Sequence, residues 1–501
     1  MKNNICRVIA CAFLLMASFN LNTSAQTVTT KISGGWIKGI EEGPTLVFKG
    51  IPYAKAPVGP LRFMPPQPPS PWKDTLSCQK FGSMAAQGGT ELKGSEDCLS
   101  LNVYTPTTDR NARLPVLVWV HGGSLTGGSG MGMNGHAFAD DDSVVTVTIN
   151  YRLGVFGFIY LGDVDKACKT SGNNGLLDLI MALKWIKQNI AAMGGDASRV
   201  TVMGESAGAK LTSSLLATPL AKGFYNQQVL ESGGVQCIRD SVTAKAIRQR
   251  LMNELGVSKP AELLHISAEK LIAAQSKIAN GAQGTNYWGP VSDGLVIDGD
   301  AYKAVQKVNN NKVRFIIGTN KFESKMFMGF DKRLNQPDST VLYGWFGDNY
   351  PYVLSAYQTE AKKTGTDSAA LKVLTQYMYQ MHSYRLANKL AQAGNHVWVY
   401  RFDYKRDGTG ATHADELAYL WFNPRQNNFN DTEKQLAAQM HHNWVNFIKG
   451  QVPGEVSGKT WPHFVAGENN IVVFDAVSAP VQLSSVYNDN ASPSACFVLK
   501  R

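Results

Sequence analysis

The chain has 501 residues, of which 44% are hydrophobic and 18% charged, and a formal net charge of +10. That length and apolar content provide for a large buried core and exclude a disordered chain. The basic residues are scattered rather than grouped in runs, which argues against a nucleic-acid-binding surface.

Residues 1–25 come first: Lys2 and Arg7 flank the start of the apolar run VIACAFLLMASF, and small residues, TSA, precede Gln26. This is the anatomy of an export signal cleaved after Ala25, and it predicts a mature chain in the periplasm or outside the cell. Its removal takes away Lys2 and Arg7 and no acidic residue, so the net charge falls from +10 to +8. No later apolar stretch reaches the roughly 20 residues that span a bilayer. The mature chain keeps Cys78, Cys98, Cys168, Cys237 and Cys496. An oxidising compartment predicts at least one bonded pair among them, with the odd count leaving a thiol over. Nothing is spaced like a zinc site or a cofactor motif, so no metal and no organic cofactor is expected.

From residue 114 onward, short apolar runs alternate with helical patterns. LPVLVWV (Leu114 to Val120), SVVTVTI (Ser143 to Ile149), RVTVMG (Arg199 to Gly204), VRFIIG (Val313 to Gly318) and HVWVYRF (His396 to Phe402) read as buried strands. Between the second and third, Leu176, Ile180, Leu183 and Ile190 recur at helical spacing. DTEKQLAAQMHHNWVNFIKG reads as a late helix, stopped at Gly450 and followed by Pro453. Successive β–α–β units predict an α/β fold with a largely parallel sheet covered by helices. With no repeat, low-complexity tract or linker, residues 26–501 read as one domain with long insertions.

Within VTVMGESAGAK, Ser206 stands between Gly204 and Gly208 at a strand-to-helix turn. Such a turn lifts a serine hydroxyl clear of the backbone at the carboxyl edge of the sheet. The pentapeptide alone is equally compatible with a serine that caps the helix. A nucleophile also needs a base, an acid to orient it and donors for an oxyanion. VHGGSLTGG, directly after the strand LPVLVWV, offers backbone amides around Gly122 and Gly123, and no Gly-Lys-Ser/Thr follows to make it a phosphate loop.

The chain resembles the type-B carboxylesterases of the α/β-hydrolase fold, the group that includes the cholinesterases. The likeness rests on FKGIPYAKAPVGPLRFMPPQPPSPW, EDCLSLNVYTP, NYRLGVFGF, GNNGLLDLIMALKWIKQNIAAMGGD and GESAG, in order along nearly the whole mature chain. It implies a serine esterase acting on small-molecule esters without a cofactor, with Ser206 as nucleophile, Glu323 as acid and His413 as base. The order Ser, Glu, His is that of the fold. It further implies oxyanion donors from Gly122, Gly123, Ser124 and Ala207, supporting polar roles for Glu205, Ser232 and Glu416, and a disulfide between Cys78 and Cys98.

Departures from the family pattern bear on the substrate. Ser124 replaces a glycine and narrows the pocket, with backbone strain if its φ is positive. No tryptophan lies between Cys78 and Cys98 to hold a quaternary ammonium, which disfavours choline esters. VQCIRD follows ESGG, so Arg239 becomes a pocket candidate, and with the positive charge it suggests acidic or phenolic acyl groups. Tyr287, Trp288, Trp345, Phe346 and Trp421 are candidate gorge aromatics. A lipase or a specialised polyester or phenolic-ester hydrolase would use the same machinery. A non-catalytic adhesion protein would differ at the three catalytic positions, all of which are filled here.

Overall fold

Side chains of the strand Leu114–Val120 divide by parity. Val116, Val118 and Val120 enter one apolar core, and Leu117 and Trp119 another. A strand apolar on both faces belongs inside a sheet covered on both sides. The computed structural model describes residues 26–279, 283–308, 312–421, 428–483 and 493–500, and the proposed export segment, residues 1–25, lies outside them. The main strands are β1 (Thr27–Ile32), β2 (Gly35–Glu42), β3 (Thr45–Pro52), β4 (Ser100–Thr105), β5 (Leu114–Val120), β6 (Val145–Ile149), β7 (Gly195–Glu205), β8 (Gln227–Glu231), β9 (Arg314–Asn320), β10 (Val397–Phe402), β11 (Asn470–Phe474) and β12 (Ala479–Gln482). Their order across the sheet is β1-β2-β3-β4-β6-β5-β7-β8-β9-β10-β11-β12, with Leu76–Ser77 added beside β2. From β6 to β11 in that order the strands are parallel. The flanking strands β1–β4 and β12 pair antiparallel.

The predicted strands are β5, β6, β7, β9 and β10. The helices used below are α1 (Asn174–Asn189), α2 (Ala207–Ser214), α3 (Ser324–Phe330) and α4 (Asp431–Ile448). Leu176, Leu179, Leu183 and Ile186 of α1 pack on one face of the sheet. Leu436, Met440, Trp444 and Phe447 of α4 pack on the other. Helix α4 opens on a capping box in which Asn430 and Glu433 bond each other's backbone N–H. The Arg152 guanidinium donates to Asp178 of α1 at 2.9 and 2.7 Å, and the Arg152 backbone N–H donates to the same carboxylate at 3.0 Å. This fully paired buried ion pair fixes the segment after β6 to α1.

The expected bond between Cys78 and Cys98 is corrected by the structure, in which both are buried free thiols, as are Cys168, Cys237 and Cys496. Cys78 is held by its backbone, donating to the Lys38 carbonyl and accepting from the Lys49 N–H, both at 2.7 Å. Cys98 lies just ahead of β4. Both side chains fill the core shared with α1 as small apolar groups. Burial pushes the Cys78 thiol up to about 12 and raises that of Cys98 as well, so both stay protonated.

Candidate active site

Strand β7 ends at Glu205 and α2 begins at Ala207, which leaves Ser206 alone at the corner with φ +57° and ψ −119°. That is a sparsely populated backbone conformation for a residue with a side chain, and the surrounding bonds impose it. The Ser206 N–H donates to the Glu231 carbonyl of β8 at 2.8 Å, and its own carbonyl accepts from the Lys210 N–H at 3.0 Å. The flanking glycines are required by close approach. A Cβ on Gly208 would stand 2.0 Å from the Val120 carbonyl oxygen, and one on Gly204 would stand 2.6 Å from the Gly208 carbonyl carbon. Ser206 is therefore a corner residue rather than an ordinary cap, and its side chain makes no cap hydrogen bond.

Three distant segments converge on it. His413 Nε2 lies 2.8 Å from Ser206 Oγ, and His413 Nδ1 lies 2.6 Å from Glu323 Oε2. The other oxygen of Glu323 accepts from the Ser232 hydroxyl at 2.6 Å and from the Asn320 N–H at 2.7 Å. Nδ1–H donates to Glu323, and Nε2 is left to accept from the serine. Glu205 Oε1 stands 3.2 Å from Nε2. Glu416 Oε2 accepts from the Asn320 side chain at 2.5 Å. The three supporting residues expected from sequence, Glu205, Ser232 and Glu416, all sit within this network.

The loop after β5 passes directly beside the serine. A Cβ on Gly122 would be 2.8 Å from the Glu205 carbonyl oxygen and 3.3 Å from Ser206 Cβ. Gly123, Ser124 and Leu125 all have positive φ, at +105°, +61° and +56°, so the strain foreseen at Ser124 is present. Among the described residues no acceptor takes the N–H of Gly123, Ser124 or Ala207. His121, whose imidazole burial lowers to about 4, is neutral and donates from Nδ1 to the Gly122 carbonyl at 2.8 Å, which braces the loop.

Gly123 and Ser124 open onto a cavity of about 610 Å³ whose far wall is Met326, Phe327, Phe330 and Trp345. The Phe327 ring lies 5.1 Å from the His413 ring. At the rim Arg333 is paired with Asp331 at 2.8 Å. Of the expected pocket residues, Trp345 lines the cavity, and three others are corrected. The Arg239 guanidinium is buried and spent on backbone carbonyls, donating to Cys237 at 2.9 Å and to Thr285 and Asn286 at 3.2 Å. Trp288 is packed into the core on the α1 side of the sheet. Trp421 packs edge-on against Trp119 and Phe138 on the α4 side.

The model of the Carboxylesterase family matches residues 24–490. The chain belongs to the carboxylesterase family. The para-nitrobenzyl esterase of Bacillus subtilis is 33% identical over 479 residues, 90% of this chain and 95% of that protein. The fumonisin B1 esterase of Sphingopyxis macrogoltabida is 33% identical over 491 residues, 91% of this chain and 88% of its own. Among solved structures, a carboxylesterase of Geobacillus stearothermophilus superposes with a TM-score of 0.82 at 33% identity, covering 91% of this chain and 98% of the other. The protein is a carboxylic ester hydrolase of the α/β-hydrolase fold. Among the described residues of this carboxylesterase, no helix is long and apolar enough to cross a membrane, and no group of three or more His, Cys, Asp or Glu side chains is placed to hold a metal ion.

Sequence reasoning missed Asn320, Glu231, Phe327 and Tyr379, whose ring centre lies 4.5 Å from that of His413. Phe327 had a usable signal, since it stands four residues after Glu323 on one helical face. Glu231 is in register with Glu205 on the adjacent parallel strand, and its carboxyl accepts from Trp444 Nε1 at 3.1 Å. Burial, then the neighbouring Glu416 and Glu205, hold the Glu231 carboxyl well above its ordinary 4.5. Folding therefore retains a proton that the unfolded chain gives up, so this contribution to stability is full below pH 4.5 and is lost as pH rises toward the folded value. Glu231→Gln keeps the shape and removes the ionisation. Its melting temperature is expected to fall less than that of the wild type between pH 6 and pH 9, as calorimetry across that range would measure. Parallel curves would reject the assignment.

Proposed function

We propose that this esterase works through an acyl-enzyme on Ser206, with His413 as general base and Glu323 as the acid that orients it. The observation that carries the reading is the continuous pair of contacts, 2.8 Å from Ser206 Oγ to Nε2 and 2.6 Å from Nδ1 to Glu323. Oγ attacks the ester carbonyl carbon as its proton passes to Nε2, and Glu323 stabilises the imidazolium. The proton then goes to the departing alcohol oxygen as the carbon–oxygen bond breaks. Water repeats the sequence on the acyl-enzyme and releases the acid. Free amides of Gly123, Ser124 and Ala207 are the donors for the tetrahedral oxyanion, each worth about 10²- to 10³-fold in rate.

The cavity wall of Phe327, Phe330, Trp345 and Met326 supports aromatic or bulky apolar acyl groups. An acidic acyl group loses its support, because Arg239 faces backbone carbonyls and Arg333 already has Asp331. Export through residues 1–25, and a single domain from Gln26 onward, belong to the same proposal. N-terminal sequencing of protein recovered outside the cytoplasm is expected to begin at Gln26. The function is tested by an organophosphonate and an ester panel. Mass spectrometry should place one phosphonate on Ser206, and kcat/KM should be higher for aromatic than for dicarboxylic acyl esters, with the ratio unchanged in Arg239→Ala. Labelling elsewhere, or preferred turnover of the acidic esters, would overturn the respective parts.

A further inference from the structure

From Thr366 to Gln392 the chain is helical throughout, and the turn Gln376–Gln380 within it is a π-helix. Such single turns are rare and recur at functional sites. Tyr379 stands in this turn, buried, with its ring centre 4.5 Å from that of His413 and 5.8 Å from that of Phe327, to which it is nearly parallel at 9°. Phe327 in turn lies 5.1 Å from the imidazole, so the three rings share one contact. On α2, one helical turn beyond the nucleophile, Lys210 is also buried, and its ammonium stands 4.6 Å from the centre of the Tyr379 ring. Among the described residues no carboxylate comes within ion-pair distance of that ammonium. Burial lowers it from its ordinary 10.5, and the face of the phenol ring is the contact that favours its charged form. Burial also favours the neutral form of the groups around it: Glu205, the Cys237 and Cys496 thiols and the Tyr379 phenol are raised, and His382 is held well below 6.5. The other cation that acts on it is Arg239, already spent on backbone carbonyls.

We propose that Lys210 is a positioning residue for the catalytic base: its ammonium, seated on Tyr379, fixes that ring against His413 and sets a positive charge near the imidazole that opposes its protonation in the free enzyme. The proposal rests on the acyl-enzyme reading above, in which His413 must be neutral to take the proton of Ser206. Two carboxyl groups face the imidazole, Glu323 at Nδ1 and Glu205 at Nε2, and each, when ionised, favours the charged ring. Lys210 works against them from the Tyr379 side. The two ring distances place the ammonium no more than about 9 Å from the imidazole centre. A unit charge at that separation inside a protein moves a titration by roughly one pH unit. The cation also draws charge from the phenol ring and so weakens what that ring offers an imidazolium. Each turnover releases a carboxylic acid, and Lys210 lets the base keep working as the surroundings acidify.

Lys210→Met removes the charge and keeps a chain of similar length, and replacing an unpaired buried charge with an apolar chain does not endanger the fold. Lys210→Gln removes the charge with a polar end. The measurement is kcat/KM for a chromogenic ester between about pH 4 and pH 9, each profile normalised to its own plateau. In both neutral variants the acid limb is expected roughly one pH unit above that of wild type. Lys210→Arg, which keeps a cation for the ring, should return the limb to within about 0.3 unit of wild type. A limb that moves by less than about 0.3 unit in both neutral variants, or that moves equally in Lys210→Arg, would overturn the proposal and leave Lys210 a packing residue. Phosphonate labelling of wild-type Ser206 across the same range keeps this result separate, since attack on phosphorus needs the same base. If wild type forms no adduct at Ser206, or its labelling shows no acid limb, it is the acyl-enzyme reading that fails.

Discussion

Ser206→Ala is expected to lower kcat by about 10⁶-fold, His413→Ala by a similar factor, and the double variant by no more than either alone. The lack of additivity follows from the geometry. Oγ becomes a nucleophile only through the proton path to Nε2 at 2.8 Å, so removing either end removes the whole step. The turnover that survives should still exceed the uncatalysed reaction by about 10³- to 10⁴-fold, because the backbone amides of Gly123, Ser124 and Ala207 and the apolar cavity are untouched. The measurement is steady-state hydrolysis of a chromogenic ester by each variant. Wild-type preparations are titrated with an organophosphonate, so that contaminating active enzyme is quantified. A Ser206→Ala protein retaining a tenth of wild-type kcat would reject the nucleophile. Losses that multiply in the double variant would reject a common step.

What was legible in the sequence is what local physics decides. The strand before Ser206 shows as a buried apolar run, and the two glycines mark a corner where a Cβ would collide with Val120 or with Gly208. Helix α1 was legible because its apolar spacing and its burial agree, and it continues into the 3-10 turn Ile190–Met193 before Gly194 adopts φ +73°. Glu323 and His413 were reached only through the family likeness, since nothing local separates them from ordinary loop residues. The direction of Arg239 was not legible, because the carbonyls it binds arrive from Thr285 and Asn286, more than forty residues later. Trp421 shows the same limit, since only tertiary packing puts it against Trp119 rather than in the cavity. Tyr379 sits in the π-helical turn Gln376–Gln380, which periodicity at 3.6 residues does not register. The antiparallel strands β1 and β2 left no run as apolar as β5, because their faces are only partly covered.

Carboxyl groups are unusually dense under the site, and their roles separate by hydrogen bonding. Glu205, Glu231 and Glu416 are each held well above the ordinary carboxyl value, with burial the first cause in all three. Glu323 differs in its partners. Its carboxylate accepts three hydrogen bonds, from Ser232, Asn320 and His413. Burial thus favours the neutral form of Glu205, Glu231 and Glu416, and Glu323 alone meets Nδ1 of the imidazole.

That arrangement makes Glu323→Gln a severe substitution despite its small change in shape, with kcat expected to fall about 10⁴-fold. The Asn320 backbone N–H can only donate, so the Gln carbonyl must take the place of Oε1 and the amide NH₂ must face His413 Nδ1. Nδ1 then has to accept, which leaves the imidazole proton on Nε2, and a protonated Nε2 cannot receive the proton of Ser206. Glu205 cannot stand in, because it approaches Nε2 at 3.2 Å and not Nδ1. The rate of phosphonate labelling should fall in parallel with kcat, since attack on phosphorus needs the same base, while the melting temperature stays within a few degrees of wild type. A variant whose labelling rate and kcat remained within tenfold of wild type would show that the tautomer is not set by Glu323. The base would then be oriented through Nε2 and Glu205 instead.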